Sequence, residues 1–175
     1  MAEFFGNSLE VTHVSIDIPE IRSDDVSKIA VQKAHFAFDR LLTPLIVDDT
    51  AFSIDGLKGF PGPYAAYVLN TLGNAGILKI MKDVEDRNAH FTTAIAFADR
   101  EGSRVFSGTV HGRIVTSPRG MGGFGYDSIF EINGRTLAEI SVEEKNRISH
   151  RALALTAFRD WIRRDYKPMS WNANG

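Results

Sequence analysis

Phe91-Thr92-Thr93-Ala94-Ile95-Ala96-Phe97-Ala98 is the stretch on which the fold turns. Phe91, Thr93, Ile95 and Phe97 recur at every second position, so they share one face of a pleated strand. Asp99-Arg100-Glu101-Gly102 interrupts the run, and a second alternation extends from Arg104 to Ile114. The pair reads as an antiparallel hairpin. Upstream, Val26, Ile29, Ala30, Ala34, Ala37, Phe38 and Leu41, with the stem of Lys33, recur at three and four. That spacing predicts a helix over 24–41 with one buried stripe, capped by Ser23 and with Asp24 and Asp25 at the positive end of its dipole. Leu45-Ile46-Val47 is a short continuous apolar run, the pattern of a central strand buried on both faces, and it delivers Asp48 and Asp49 to its carboxyl end. Pro63 suits the first position of a helix over 64–72, with a second short helix reaching Met81. A weak alternation from Leu9 reads as a strand ending at Pro19. Strands and helices in this order predict an α/β domain: a mixed, twisted sheet flanked by helices.

The chain has 175 residues, 43% of them hydrophobic, enough for one core. We expect one domain over 1–167 and a frayed tail over 168–175. The net charge of −2 and the lack of any Lys/Arg block leave no face for nucleic acid, whereas free nucleotides need only a local cluster. No cysteine is present, which rules out disulfides and thiolate metal sites and fits a reducing compartment. No stretch approaches the roughly 18 apolar residues of a membrane span, and no basic start precedes an apolar run. A cytoplasmic protein without a membrane partner is expected.

Ser141-Val142-Glu143-Glu144-Lys145-Asn146-Arg147-Ile148-Ser149-His150-Arg151 gathers an ammonium, a hydroxyl, an imidazole and a guanidinium. Ser141 with Glu144 has the form of a capping box, and Ser149 is placed to cap a second helix, leaving His150 and Arg151 in its exposed first turn. Such a turn offers donors to an anionic or carbonyl-bearing ligand. A charged first turn with a capping serine is the plainer reading of the same residues. Asp48-Asp49 reads either as a site for a hydrated divalent cation or as a cap or turn pair. The glycine-rich loop from Arg119 to Gly125 reads either as a close backbone approach to a ligand or as a flexible connection. His13, His35, His90 and His111 share no metal-ligand spacing.

Val47-Asp48-Asp49-Thr50, Gly59-Phe60-Pro61-Gly62-Pro63-Tyr64, Gly123-Phe124-Gly125-Tyr126-Asp127 and Glu144-Lys145-Asn146-Arg147-Ile148-Ser149-His150-Arg151 follow one another in this order. Together they resemble the Ham1-like family of house-cleaning pyrophosphatases that act on inosine and xanthosine triphosphates, over about 18–162. The resemblance implies two lobes around a central cleft, a homodimer, and hydrolysis of a purine nucleoside triphosphate to monophosphate and pyrophosphate with Mg2+. It implies that Asp48 and Asp49 bind the metal and that Asp49 helps activate water for attack at the α-phosphorus. It implies that Phe124 stacks on the purine, that Tyr126 and Asp127 shape that pocket, and that Lys145, Ser149, His150 and Arg151 contact the nucleotide. His150 and Arg151 would donate to the 6-oxo group, which an adenine amino group cannot replace.

Two departures from the family pattern stand out. Relatives usually begin with a strand leading into a T-x-N-x-x-K loop that grips the triphosphate, and no such segment precedes Met1-Ala2-Glu3-Phe4-Phe5-Gly6-Asn7. Lys28 occupies the place of a metal-binding glutamate, and a protonated lysine cannot ligate magnesium. Asp24 and Asp25 lie about one turn away as substitutes, and the Lys28 ammonium could instead stand where the cation would sit. A catalytically impaired nucleotide-binding homologue, or an N-terminally truncated form, is the alternative these departures raise.

Overall fold

The structure, a computed structural model, describes residues 11–166. Its elements are α1 (Val26–Leu41), β1 (Leu45–Ile54), a 3-10 turn (Asp55–Leu57), β2 (Pro61–Gly62), α2 (Ala65–Ile80), β3 (Asn88–Asp99), β4 (Gly102–Ile114), β5 (Phe130–Ile132), β6 (Arg135–Thr136), α3 (Val142–Ile148) and α4 (His150–Arg164). The strands form one sheet in the order β2-β1-β3-β4-β5-β6. The α/β class is as the sequence predicts, but among the described residues every strand pairing is antiparallel rather than mixed. The α2 segment explains this, because it leaves the sheet beside Ile54 and returns it beside Ala89, the partner of Ile54. No helix among the described residues is long and apolar enough to cross a membrane.

The β3–β4 hairpin forms as its alternation predicts, with Asp99 opposite Gly102 at the turn. One face of the sheet is a row of alanines, Ala51, Ala94, Ala96 and Ala98, against which α1 lays Val26, Ala30 and Ala34. Small side chains on both partners let helix and sheet approach closely. The other face carries bulk. Ile95 and Phe97 meet Ala154, Leu155 and Phe158 of α4. Further along, Phe52, Ile54, Phe91, Ile129 and Phe130 make the main core with α2. Phe52 and Phe91 stack at 4.4 Å, and fully burying such a ring contributes about 1.5–3 kcal/mol.

Several local expectations are corrected. The N-cap of α1 is Asp25, whose carboxylate accepts from Ser27 N at 2.9 Å, and Ser23 instead accepts from Asp25 N. Leu45, Ile46 and Val47 are half-buried rather than buried on both faces. The reason is that β2 pairs only with Phe52 and Ser53, so among the described residues the rest of β1 is a sheet edge. The strand also runs on to Ile54, because Phe52 and Ile54 keep the alternation and drop into the core; Asp48 and Asp49 therefore sit within the strand, not at its carboxyl end. No strand forms over 11–19, although Val11 packs against the cluster of Ile95, Phe97 and α4. The expected two-helix reading of 64–81 is met by a break inside α2 at Gly73, with φ of 63°. The start of the strand expected from Leu9 and the tail over 168–175 lie outside the described residues.

Candidate active site

Successive residues of a strand point to opposite faces, and β1 obeys this rule at its two aspartates. Asp49 faces α1, where its Oδ2 accepts from Lys33 Nζ at 2.7 Å. The same ammonium also donates to Glu20. Burial lowers the Lys33 pKa, but the hydrogen bonds and charges of Asp49 and Glu20 outweigh it, so the net shift is upward. Asp48 faces α4, where Arg151 Nε donates to its Oδ2 at 3.0 Å and Nη2 lies in ion-pair contact with the same oxygen at 3.0 Å. The two carboxylates thus do not form a shared ligand pair, and among the described residues no three His, Asp or Glu side chains gather as a metal-binding group. Lys28 is exposed, and Asp25 is engaged as a helix cap. The ammonium that meets Asp49 is that of Lys33.

The junction of α3 and α4 follows the capping logic of its serines. Ser141 accepts from Glu144 N at 3.1 Å, opening α3. Ser149 adopts extended backbone between the helices and accepts from Ala152 N at 3.2 Å, opening α4. His150 is not exposed as the sequence reading has it. Its ring stacks on Phe91 at 5.0 Å and 17°, and Nδ1 hydrogen-bonds Thr93 Oγ1 at 2.5 Å. Gly108 makes this seat available, since a Cβ there would lie 2.2 Å from His150 O and 2.6 Å from Ala154 N. Burial, then the positive charges of Arg151 and Lys145, push the His150 pKa down to about 4. At neutral pH the imidazole is therefore uncharged.

Beside it, the glycine-rich loop folds over one carboxylate. Asp127 is buried, and its Oδ2 accepts from Phe124 N at 2.7 Å and from Lys145 Nζ. Gly123, at φ of 75°, is held so close that a Cβ would lie 2.2 Å from Asp127 Oδ2. The Lys145 ammonium lies 4.1 Å from the centre of the Phe124 ring, a cation–π contact on a ring that is 75% exposed. Tyr126 points the other way. Its hydroxyl donates to Ala65 O at 2.7 Å, its ring packs 4.4 Å from Phe52, and burial raises its pKa to about 12.

One face of the sheet therefore gathers Asp48, Asp127, Lys145 and Arg151 around His150, whose ring feels all four charges, with Lys145 against the Phe124 ring. Asp49 lies on the other face, and the Ser149 side chain is occupied as a cap. Sequence reasoning missed Lys33, Thr93 and Gly108. Lys33 had a signal: a lone lysine within an Ala/Val stripe that faces a sheet needs a buried anion. Thr93, fully buried in an otherwise apolar row, had the matching signal of a hydroxyl that must find a partner.

The sequence and the fold have known counterparts. The model of the Ham1 family matches residues 2–161. The dITP/XTP pyrophosphatase of Thermococcus kodakarensis is 44% identical over 161 residues, spanning 91% of this chain and 87% of that protein. The dITP/XTP pyrophosphatase of Methanopyrus kandleri is 45% identical over 158 residues, with 89% and 84% covered. Among solved structures, the Staphylococcus aureus Ham1 protein superposes with a TM-score of 0.80 at 30% identity, over 85% of this chain and 81% of that one. A sequence match that spans both faces of the sheet, together with a matching fold, leaves one assignment: the chain belongs to the Ham1 family.

Proposed function

We propose that this chain hydrolyses deaminated purine nucleoside triphosphates of the dITP, ITP and XTP type to monophosphate and pyrophosphate. The observation that carries the reading is the convergence of Phe124, Asp127, Lys145, His150 and Arg151 at one helix start, in a chain whose relatives bear the name dITP/XTP pyrophosphatase. The exposed Phe124 ring offers a stacking platform for any base, so selectivity has to come from hydrogen bonds. Arg151 is a donor paired with Asp48 at the exposed end of the site, and the uncharged His150 supplies the second polar group. A 6-oxo purine satisfies two donors, whereas a 6-amino purine would leave them unpaired. Lys145 and the amides opening α4 favour negative charge on the ligand.

Across the open edge of β1, on the face of α1, Asp49 is the carboxylate we assign to water activation, with the triphosphate crossing that edge from the base pocket; Asp49 takes a proton from the water whose oxygen attacks the α-phosphorus as pyrophosphate leaves. The donor set fits a hard cation through Asp49 and phosphate oxygens better than through an Asp48–Asp49 pair, since alternation turns Asp48 away. Magnesium, when bound, supplies charge neutralisation for the phosphates. Lys33 aims Asp49, holding it with a hydrogen bond from the helix that faces the sheet edge. Our reading further has the protein as a single-domain, cytoplasmic homodimer; a sedimentation experiment giving the monomer mass would remove the dimer.

Incubation with dITP and magnesium should release pyrophosphate and dIMP in equal amounts, and D49N should stop the release while retaining the native circular-dichroism spectrum. Release of orthophosphate instead, or equal turnover of dATP, would overturn the reading.

A further inference from the structure

An uncharged imidazole carries one proton on one of two nitrogens, and the hydrogen bond made at the inner nitrogen decides what the outer one offers. At His150 the inner nitrogen is Nδ1, bonded to Thr93 Oγ1 at 2.5 Å. Thr93 is fully buried, and its hydroxyl has a second partner, Thr50 Oγ1, at 2.7 Å. The two threonines face each other directly in the β1–β3 register, on the face of the sheet that carries α4. A row of three groups results: Thr50, Thr93, His150. Nε2 makes no hydrogen bond with any described residue, so it is the nitrogen left for a ligand.

The row can be polarised in two directions. If Nδ1 carries the ring proton, it donates to Thr93, Thr93 donates to Thr50, and the Thr50 proton finds no acceptor among the described residues. If Nδ1 is bare, Thr50 donates to Thr93 and Thr93 donates to Nδ1, so that both hydroxyl protons are used within the row. Each direction makes two hydrogen bonds and turns one proton outward, from Thr50 in the first and from Nε2 in the second. A 6-oxo acceptor on the ligand pairs with an Nε2 proton and is refused by a bare Nε2, which selects the second direction. A half-turn of the ring would keep the stack on Phe91 but put a carbon opposite Thr93 and forfeit the hydrogen bond, and the main chain of α4, pressed onto Gly108, holds the ring in this seat.

We infer that Thr93, oriented by Thr50, is a specificity-determining positioning residue: its hydroxyl donates to His150 Nδ1, holds the imidazole proton on Nε2, and so presents a donor, not an acceptor, to position 6 of the purine. The inference rests on the functional reading above. It adds the source of the discrimination, since the opposite tautomer would offer an acceptor suited to the 6-amino group of adenine. Thr93 need not touch the substrate to act in this way.

The test has a spectroscopic arm that needs no turnover. In 15N-labelled protein without ligand, long-range 1H–15N correlation, with the His150 signals assigned by their loss in H150Q, should show Nε2 protonated and Nδ1 bare in wild type and in T93S. In T93V the two tautomers should mix. The kinetic arm is the ratio of kcat/KM for dITP to that for dATP, which should fall about tenfold in T93V and be restored in T93S. If T93V does not fold, T50V, which removes the partner that orients the Thr93 hydroxyl, carries the same two measurements with a smaller expected fall. A proton on Nδ1 in wild type, or an unchanged ratio in a folded T93V, overturns the inference. A wild type that shows no preference for dITP rejects the functional reading instead, and the tautomer measurement still decides the proton's place.

Discussion

The two faces of β1 hold two aspartates, one residue apart, in contrasting settings. Asp49 lies against α1, where its side chain and that of Lys33 are 17% and 13% exposed. Asp48 lies against α4, paired with an Arg151 side chain that is 45% exposed. A nearly desolvated pair is held by geometry and resists exchange, whereas an exposed pair is screened and can give up its partner to a ligand. One strand thus supplies a fixed carboxylate to one face and an adjustable anchor to the other. Adjacent identical residues are not a redundant pair, and the period of the strand separates their duties.

That contrast can be broken most severely by exchanging charge at each position. D49N should reduce pyrophosphate release from dITP by about 10^3-fold, in the range for loss of a general base, while D48N should cost about tenfold through a loosened Arg151. Equal losses in the two variants would erase the asymmetry. The next effect is on folding. G108A drives a methyl group into the main chain of α4, and chemical denaturation should register a loss of about 3 kcal/mol. A near-neutral G108A would mean that α4 can shift without cost, and the fixed seat of His150 would be lost as an explanation.

A third test follows from the His150 pKa of about 4 against an unfolded value near 6.5. Between these values the unfolded chain binds the proton and the folded one does not, so stability rises with pH through this window and is fully present above pH 6.5. Moving from pH 7 to pH 5 should cost the wild type about 2 kcal/mol at this group alone, an increment absent from H150Q in parallel urea titrations. Lys33, with a raised pKa, shifts the other way: its contribution is present at neutral pH and is lost only in strongly alkaline solution, as pH rises through the folded value. The smallest effect belongs to the exposed pair. A double-mutant cycle on Asp48 and Arg151 should return less than about 1 kcal/mol of coupling to stability, diminishing with salt.

Much of the architecture was readable from local pattern. The hairpin of β3 and β4, the amphipathic α1, the break within α2 and the paired serine caps at 141 and 149 all rest on interactions within a few residues, which sequence spacing encodes directly. The boundary errors have the same origin. Ser23 and Asp25 are equally good caps by composition, and only the path of the backbone into α1 selects Asp25. The extent of β1 depended on Phe52 and Ile54 finding the core, a long-range event that a three-residue apolar run does not announce.

By itself the amino-acid order determined the class of fold, the family and the polar groups gathered around His150, because alternation, helical spacing and motif order survive without coordinates. It could not determine which face each aspartate serves, which lysine meets Asp49, or that the imidazole lies stacked and hydrogen-bonded against the sheet. Those outcomes depend on register: Thr50 opposite Thr93, and Thr93 opposite Gly108 beneath α4. Register is set by the simultaneous burial of side chains distant in sequence, and a partner 57 residues away, as His150 is from Thr93, has no local signature.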